Sequence, residues 1–132
     1  MALPTDADDV APDGSEVRLL ARTSRASMAH FRLGPGQVAI GEVHRTVDEI
    51  WLVIRGKGRI WRCPTGRPDL AVEEELLPDV SIPIPVGTHF QFRAAEDSEL
   101  DIAGVTVPPW PGMDEAVPSE MAPWQPTVAL GH

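Results

Sequence analysis

Cysteine is nearly absent from this chain. Cys63 stands alone among 132 residues, which excludes an internal disulfide and fits a reducing, cytoplasmic setting. It lies between Ile60-Trp61-Arg62 and Pro64, a setting for packing rather than for a nucleophile. Long apolar runs are missing too. Ile50–Ile54 is only five residues, far short of a bilayer span, so no membrane partner is expected. The opening Met1-Ala2-Leu3-Pro4-Thr5-Asp6 has no basic region leading into an apolar segment, so no secretory signal is expected. No segment carries convincing helical periodicity, and Val72–Leu77 is too short before Pro78 to make one. Internal repeats are not apparent. Basic side chains are absent from both ends: Met1–Val17 holds Asp6, Asp8, Asp9, Asp13 and Glu16, and Pro111–His132 holds Asp114, Glu115 and Glu120, with no Lys or Arg in either. Most of the net charge of −9 therefore sits in the tails, and Arg18–Trp110 balances eleven bases against twelve acids. Neither part makes a basic footprint, so no nucleic acid partner is expected.

The hydrophobic content of 42% suffices for one core, and 132 residues leave no room for a second domain. Short β-prone runs dominate: Glu16–Leu20, Ser27–Leu33, Gln37–Val43, Glu49–Arg55, Arg59–Cys63, Ala71–Leu76, Val80–Ile84, His89–Arg93 and Glu99–Val107. Turn signals separate them, among them Gly34-Pro35-Gly36, Gly56-Lys57-Gly58, Pro64-Thr65-Gly66 and Pro85-Val86-Gly87. Many short strands at regular spacing predict an all-β sandwich or barrel. The expected organisation is a flexible acidic arm over 1–15, a β-barrel domain over 16–110, and an extended strap over 111–132. The strap belongs to a tail rich in proline from Pro108, with Trp110 and Trp124 to bury against a surface. It reads as a cover over an apolar flank or dimer groove, or as a lid or pocket wall.

The most informative stretch runs from Gly41 to Gly56. Glu42 and His44 are two apart on a strand and so project from one face. Glu49 opens the next apolar run, and if that run pairs antiparallel with the strand carrying His44, three metal-type donors converge. Imidazole with carboxylates suits zinc, iron, manganese or nickel. The alternative is that Glu42 and Glu49 are solvated edge charges and His44 a hydrogen-bonded surface residue.

The pattern Glu-x-His-x4-Glu-x6-Gly resembles the first motif of the cupin superfamily, His-x-His-x3-4-Glu-x6-Gly, with Glu42 in place of the first histidine. Asp79–Ala94 resembles the second motif, Gly-x5-Pro-x-Gly-x2-His-x3-Asn. Pro85 and Gly87 match, Asp79 stands for the leading glycine, Phe90 for the histidine and Ala94 for the asparagine, while His89 falls one position early. A single-residue offset moves a side chain to the opposite face of a strand, so either a rotated His89 or Phe90 meets the site. The resemblance covers Val17 to Trp110 and implies a jelly-roll barrel, the double-stranded β-helix. It also implies a divalent transition metal (iron, zinc or manganese) held by His44, Glu49 and Glu42, with His89 expected as the fourth donor.

Alternation from Glu49 places Trp51, Val53 and Arg55 on the pocket side and Ile50, Leu52 and Ile54 on the other. Phe90 and Phe92 share a face and would add apolar wall, and Gln91 reaches the pocket if His89 does. His30, on the face of Met28 and Arg32, is expected to look outward. Two functions from different classes follow. One is a metal-dependent enzyme of bacterial small-molecule metabolism, of isomerase, cyclase, lyase or oxygenase type, with Glu42 as a ligand or general base. The other is a metal-free cupin that binds a small ligand as a sensor or accessory protein. A homodimer is expected in either case, with Ile50, Leu52 and Ile54 as candidate interface residues.

Overall fold

The computed structural model describes residues 1–128. The part of the expected strap beyond Val128 lies outside the described residues. The strands are β1 (Asp9–Val10), β2 (Glu16–Arg22), β3 (Ser27–Leu33), β4 (Glu42–His44), β5 (Asp48–Gly56), β6 (Gly58–Pro64), β7 (Val72–Leu76), β8 (Ser81–Ile84), β9 (Thr88–Ala94), β10 (Leu100–Val107) and β11 (Ala116–Pro118). They form two antiparallel sheets, β1-β2-β3-β10-β5-β8 and β11-β4-β9-β6-β7, packed face to face as a jelly roll. The run expected as a strand over Gln37–Val43 is mostly irregular, with a single bridge from Val38 to Arg93 before β4 begins. Among the described residues, no helix is long and apolar enough to cross a membrane.

Strand alternation fills the space between the sheets. On β5, Glu49, Trp51 and Val53 are buried, while Ile50, Leu52 and Ile54 are about half exposed on the other face. On β9, Phe90, Phe92 and Ala94 enter the core that Leu33, Ile60 and Leu100 share. The alternation breaks at the end of β5. Asp101 of β10 pairs with Arg55, but Ile102 pairs with Val53, so β5 bulges at Ile54. Arg55 is thereby turned to the outer face, where its Nε donates to Asp101 at 3.1 Å, and not into the pocket as plain alternation predicts. Gly56 then turns the chain with φ 90°, and a Cβ there would lie 1.7 Å from the Glu99 carbonyl oxygen, so only glycine fits. Asp79, which stands at the glycine position of the second cupin-like motif, holds a left-handed φ of 73°.

Both tails are built into the sandwich. Arg18 donates from Nε and Nη2 to the Pro4 and Thr5 carbonyls, each at 2.9 Å. The Leu19 amide donates to Asp8 Oδ2 at 2.7 Å, and β1 pairs with β2. The arm then crosses to the other sheet, where the Ile40 amide donates to the Asp13 carbonyl at 2.8 Å. The segment expected to be loose is thus docked from Pro4 onward, because β2 and Ile40 offer backbone partners that its composition does not reveal. At the other end, Gln91 grips Trp124 twice: Nε2 donates to its carbonyl and Oε1 accepts from its amide, both at 2.8 Å. The Arg93 guanidinium lies 4.2 Å over the Trp124 ring. The strap thereby covers the outer face of the five-stranded sheet.

One tail residue fixes the turn between β4 and β5. Glu115 is buried and accepts from the Thr46 amide at 2.6 Å, the Thr46 hydroxyl at 2.5 Å and the Val47 amide at 3.0 Å. Burial pushes its carboxyl up, but these donors from Thr46 and Val47 outweigh that and hold it below its ordinary value of 4.5. A depressed carboxyl contributes stability that is complete above the unfolded value and is lost as pH falls through the folded one. Glu115→Ala is therefore expected to cost about 2–4 kcal/mol at pH 7, since it strands the Thr46 and Val47 amides. Urea denaturation of both proteins checks this: the gap should shrink at pH values below 4.5, and a gap that stays constant with pH would contradict the ionised clamp.

Candidate functional site

Glu42 and His44 reach the interior from β4, in the five-stranded sheet, and Glu49 and Trp51 reach it from β5, in the other. The two strands do not pair with each other, contrary to the antiparallel ladder expected from the sequence. They face each other across the mouth of the sandwich, and the short turn held by Glu115 carries the chain from one sheet to the other. Convergence therefore comes from sheets packed face to face rather than from one ladder. His44 Nε2 stands 3.7 Å from Glu42 Oε1 and 4.0 Å from Glu49 Oε1, too far for a hydrogen bond to either. The imidazole is wedged between Phe90 and Trp110, edge-on to both with centroids at 5.2 Å. Its Nδ1 is buried without a hydrogen-bond partner among the described residues.

The register of β9 decides which of its residues joins. Directly paired residues in an antiparallel ladder point to the same side. Phe90 pairs with Glu42 and so shares its inward face, whereas His89 pairs with Val43 and turns outward. There His89 Nδ1 meets the Ser119 hydroxyl at 2.6 Å. His89 is therefore not at the site, a correction that follows from β9 running without a bulge across this register. Gln91 lies on the same outer face, occupied by Ala39 and Trp124. Phe92 points inward but sits deeper, packed on Trp51 at 4.8 Å, and does not line the cavity. His30 shares the outward-facing side of β3 as expected, yet it is buried and bonded to Asp101 at 2.8 Å.

A residue that the sequence motifs do not single out completes the cluster. Asp13, 4% exposed, lines the same cavity from the N-terminal arm. Its Oδ1 accepts from the Ser15 amide at 2.9 Å and from the Ser15 hydroxyl at 2.6 Å. The signal is present as the turn sequence Pro12-Asp13-Gly14-Ser15, but turn chemistry alone does not say where a turn docks. Trp110, in the proline-rich tail, also lines the cavity, and its amide donates to the Ser27 hydroxyl at 2.9 Å.

Burial sets the electrostatics. It raises the Glu42 carboxyl well above the ordinary 4.5, with Asp13 adding like-charge repulsion. Burial likewise raises Glu49 to about 7, against the opposing pull of His44 and of the Trp51 indole. That indole lies near Glu49 but outside full hydrogen-bond geometry, so its buried Nε1 has no partner among the described residues. Burial raises Asp13 as well, against its bonds from Ser15. The cavity above these groups is about 340 Å³, at the small end for ligand pockets, and Val17, Phe31, Trp51, Phe90 and Trp110 give it apolar walls.

No family profile and no curated protein matches the chain. Solved structures do. KdgF from a Halomonas species is 21% identical, with a TM-score of 0.64 over 82% of this chain and 94% of that one. An oxalate oxidase in complex with the substrate analogue glycolate is 22% identical, with a TM-score of 0.69 over 89% of this chain and 61% of that one. A single-substitution variant of the oxalate decarboxylase of B. subtilis is 14% identical, with a TM-score of 0.73 over 89% of this chain; the chain spans only 32% of that longer protein. These neighbours are cupin-fold proteins. The two packed sheets, the strand and turn from Glu49 to Gly56 and these likenesses give one conclusion: the chain has the cupin fold, a double-stranded β-helix.

Proposed function

We propose that this chain is a metal-dependent cupin enzyme acting on a small organic molecule. The observation that carries the reading is the meeting of His44 Nε2 with two buried carboxylates, Glu42 and Glu49, in the lining of an apolar-walled cavity. One imidazole with carboxylates is a donor set for zinc, iron or manganese. Among the described residues no three donors stand at metal-ligand spacing. Oxygen and nitrogen ligands of one ion are roughly 3 Å apart, given bonds of about 2.1 Å, so the 3.7 and 4.0 Å gaps would have to close on metal binding. Bound there, a divalent metal supplies Lewis-acid polarisation of a substrate oxygen or activation of dioxygen.

The chain's own residues do the rest. Trp51 and Phe90, set edge to face with centroids at 5.7 Å, give the substrate apolar walls, and Trp110 closes the side nearest His44. Glu42 faces the same cavity, where it would serve as a ligand or, if left off the metal, as a general base toward bound substrate. Isomerase, cyclase, lyase and oxygenase chemistry all use these elements. Two of the fold neighbours are named for acting on oxalate, a small organic acid. Phe90, apolar where the family motif has a histidine, favours the other reading, a metal-free ligand-binding or accessory protein.

Elemental analysis of protein expressed in metal-replete medium separates them. About one zinc, iron or manganese per chain is expected, and His44→Ala should empty the site while the far-ultraviolet spectrum stays unchanged. Wild-type protein with metal at background would leave the metal-free reading standing. We also propose a homodimer through the apolar outer face of β5, where Ile50, Leu52 and Ile54 are about half exposed. Light scattering should give twice the chain mass of 14.3 kDa, and a single-chain mass across micromolar concentrations would contradict it.

A further inference from the structure

We infer that the molecule this cavity takes is elongated and amphipathic, with an oxygen-bearing head at Trp51 and an apolar chain laid across the six-stranded sheet to the surface at Leu19. This rests on the cavity being the site of action, which both readings above share, and it names the class of molecule. The register of the sheet carries it. Leu19 of β2 pairs with Ala29 of β3, Ala29 with Gly104 of β10, and Gly104 with Trp51 of β5. Directly paired residues of antiparallel strands point to one side, so the four make a single row, and all four line the cavity. Strands lie about 4.8 Å apart, which makes the row about 14 Å long. It runs from the interior to the surface: Trp51 is 2% exposed, Gly104 buried, Ala29 half-buried and Leu19 58% exposed.

The middle of this row is nearly free of side chains. The next row on the same face, Val17–Phe31–Ile102–Val53, is filled with large ones. Gly104 has no left-handed φ, and the register shift of β10 lies at Asp101/Ile102, so neither a turn nor a bulge calls for glycine there. Glycine inside a strand then marks the close approach of another group. A Cβ at 104 would stand 2.9 Å from Phe31 Cε2 and 3.3 Å from Trp51 Nε1, so glycine seats Phe31 and keeps the row clear beside the indole N–H. That N–H is buried with no partner among the described residues, a donor that a ligand oxygen satisfies. Glu49, two residues along the same face of β5, stands beside it. At the surface, Val10 of β1, Met28 of β3 and Met113 of the tail join Leu19 in the lining, each more than a third exposed. Asp9 and Arg22 are the charged residues of the exposed lining. Exposed apolar side chains gathered from four segments at one cavity mark a binding site, and the flexible methionines adapt to the chain they meet.

Titration of the full-length chain with 1-butanol, 1-hexanol and 1-octanol, by calorimetry and by the signals of isotope-labelled methionine methyl groups, tests this. Each added methylene should tighten binding about fourfold, the effect of taking one CH2 out of water. The longer alcohols should move the Met28 and Met113 signals and leave those of Met1 and Met121, which do not line the cavity, in place. Leu19→Gln, a change at an exposed position, should flatten the gain from hexanol to octanol. Trp51→Phe, which removes the N–H, should weaken all three alcohols alike. Equal affinity for the three, or Met28 and Met113 signals unmoved at saturation, overturns the inference and leaves the cavity standing as a site for a smaller molecule. Binding that Trp51→Phe leaves intact overturns the placement of the head. Shifts of Met28 and Met113 on raising the protein concentration without alcohol would show a second copy over this surface, and would also overturn the inference. Failure of every alcohol to bind removes the cavity as an organic-ligand site, and with it both readings above.

Discussion

Burying ionisable groups at the open end of an apolar sandwich is the constraint that organises this molecule. Glu42, His44 and Glu49 all lie within the protein, from strands of opposite sheets, and burial disfavours the charged forms of the two glutamates. Such groups keep a fixed geometry only when the backbone around them is held firmly. The β4–β5 turn does this through Glu115, which satisfies the Thr46 and Val47 amides. The two tails enclose the rest. The arm crosses from β2 to Ile40, and the strap runs from Trp110 beside His44 to Trp124 on the far face of β9.

The acidic tails take on a different meaning in this light. Their sequence reads as solvated charge, yet Asp8 accepts from the Leu19 amide, Asp13 enters the cavity and Glu115 clamps a turn. An acid in a tail is suited to this because backbone amides left unpaired at strand ends and turns need an acceptor, and a carboxylate is the strongest one available. The outer face of the six-stranded sheet shows the same pattern. Asp101 there gathers His30, Arg32 and Arg55, so a buried histidine that resembles a site residue is committed to holding β3 and β10 together.

Much of the fold and half of the site are legible in the sequence because they depend on local spacing. Glu49 to Gly56 is one strand and its turn, and the Glu42/His44 pair follows from period-two alternation. The remainder depends on long-range facts. Choosing between His89 and Phe90 requires the pairing of β9 with β4, since one residue of register exchanges the two faces. Arg55 leaves the pocket because of a bulge set by β10, and nothing in Glu49–Arg55 itself marks it. Asp13 sits in a turn sequence whose docking partner, Ile40, lies beyond two intervening strands. Trp110 and Glu115 join through the path of the tail after β10, which local spacing does not encode.

The central claim is that His44, Glu42 and Glu49 surround one metal ion at the end of the cavity. Anomalous diffraction from crystals grown with manganese, collected at the manganese edge, locates that ion directly. One strong peak per chain is expected between His44 Nε2 and the carboxylates of Glu42 and Glu49, beneath Trp110. Absence of a peak there, with the imidazole hydrogen-bonded to an organic ligand or to water instead, would contradict it.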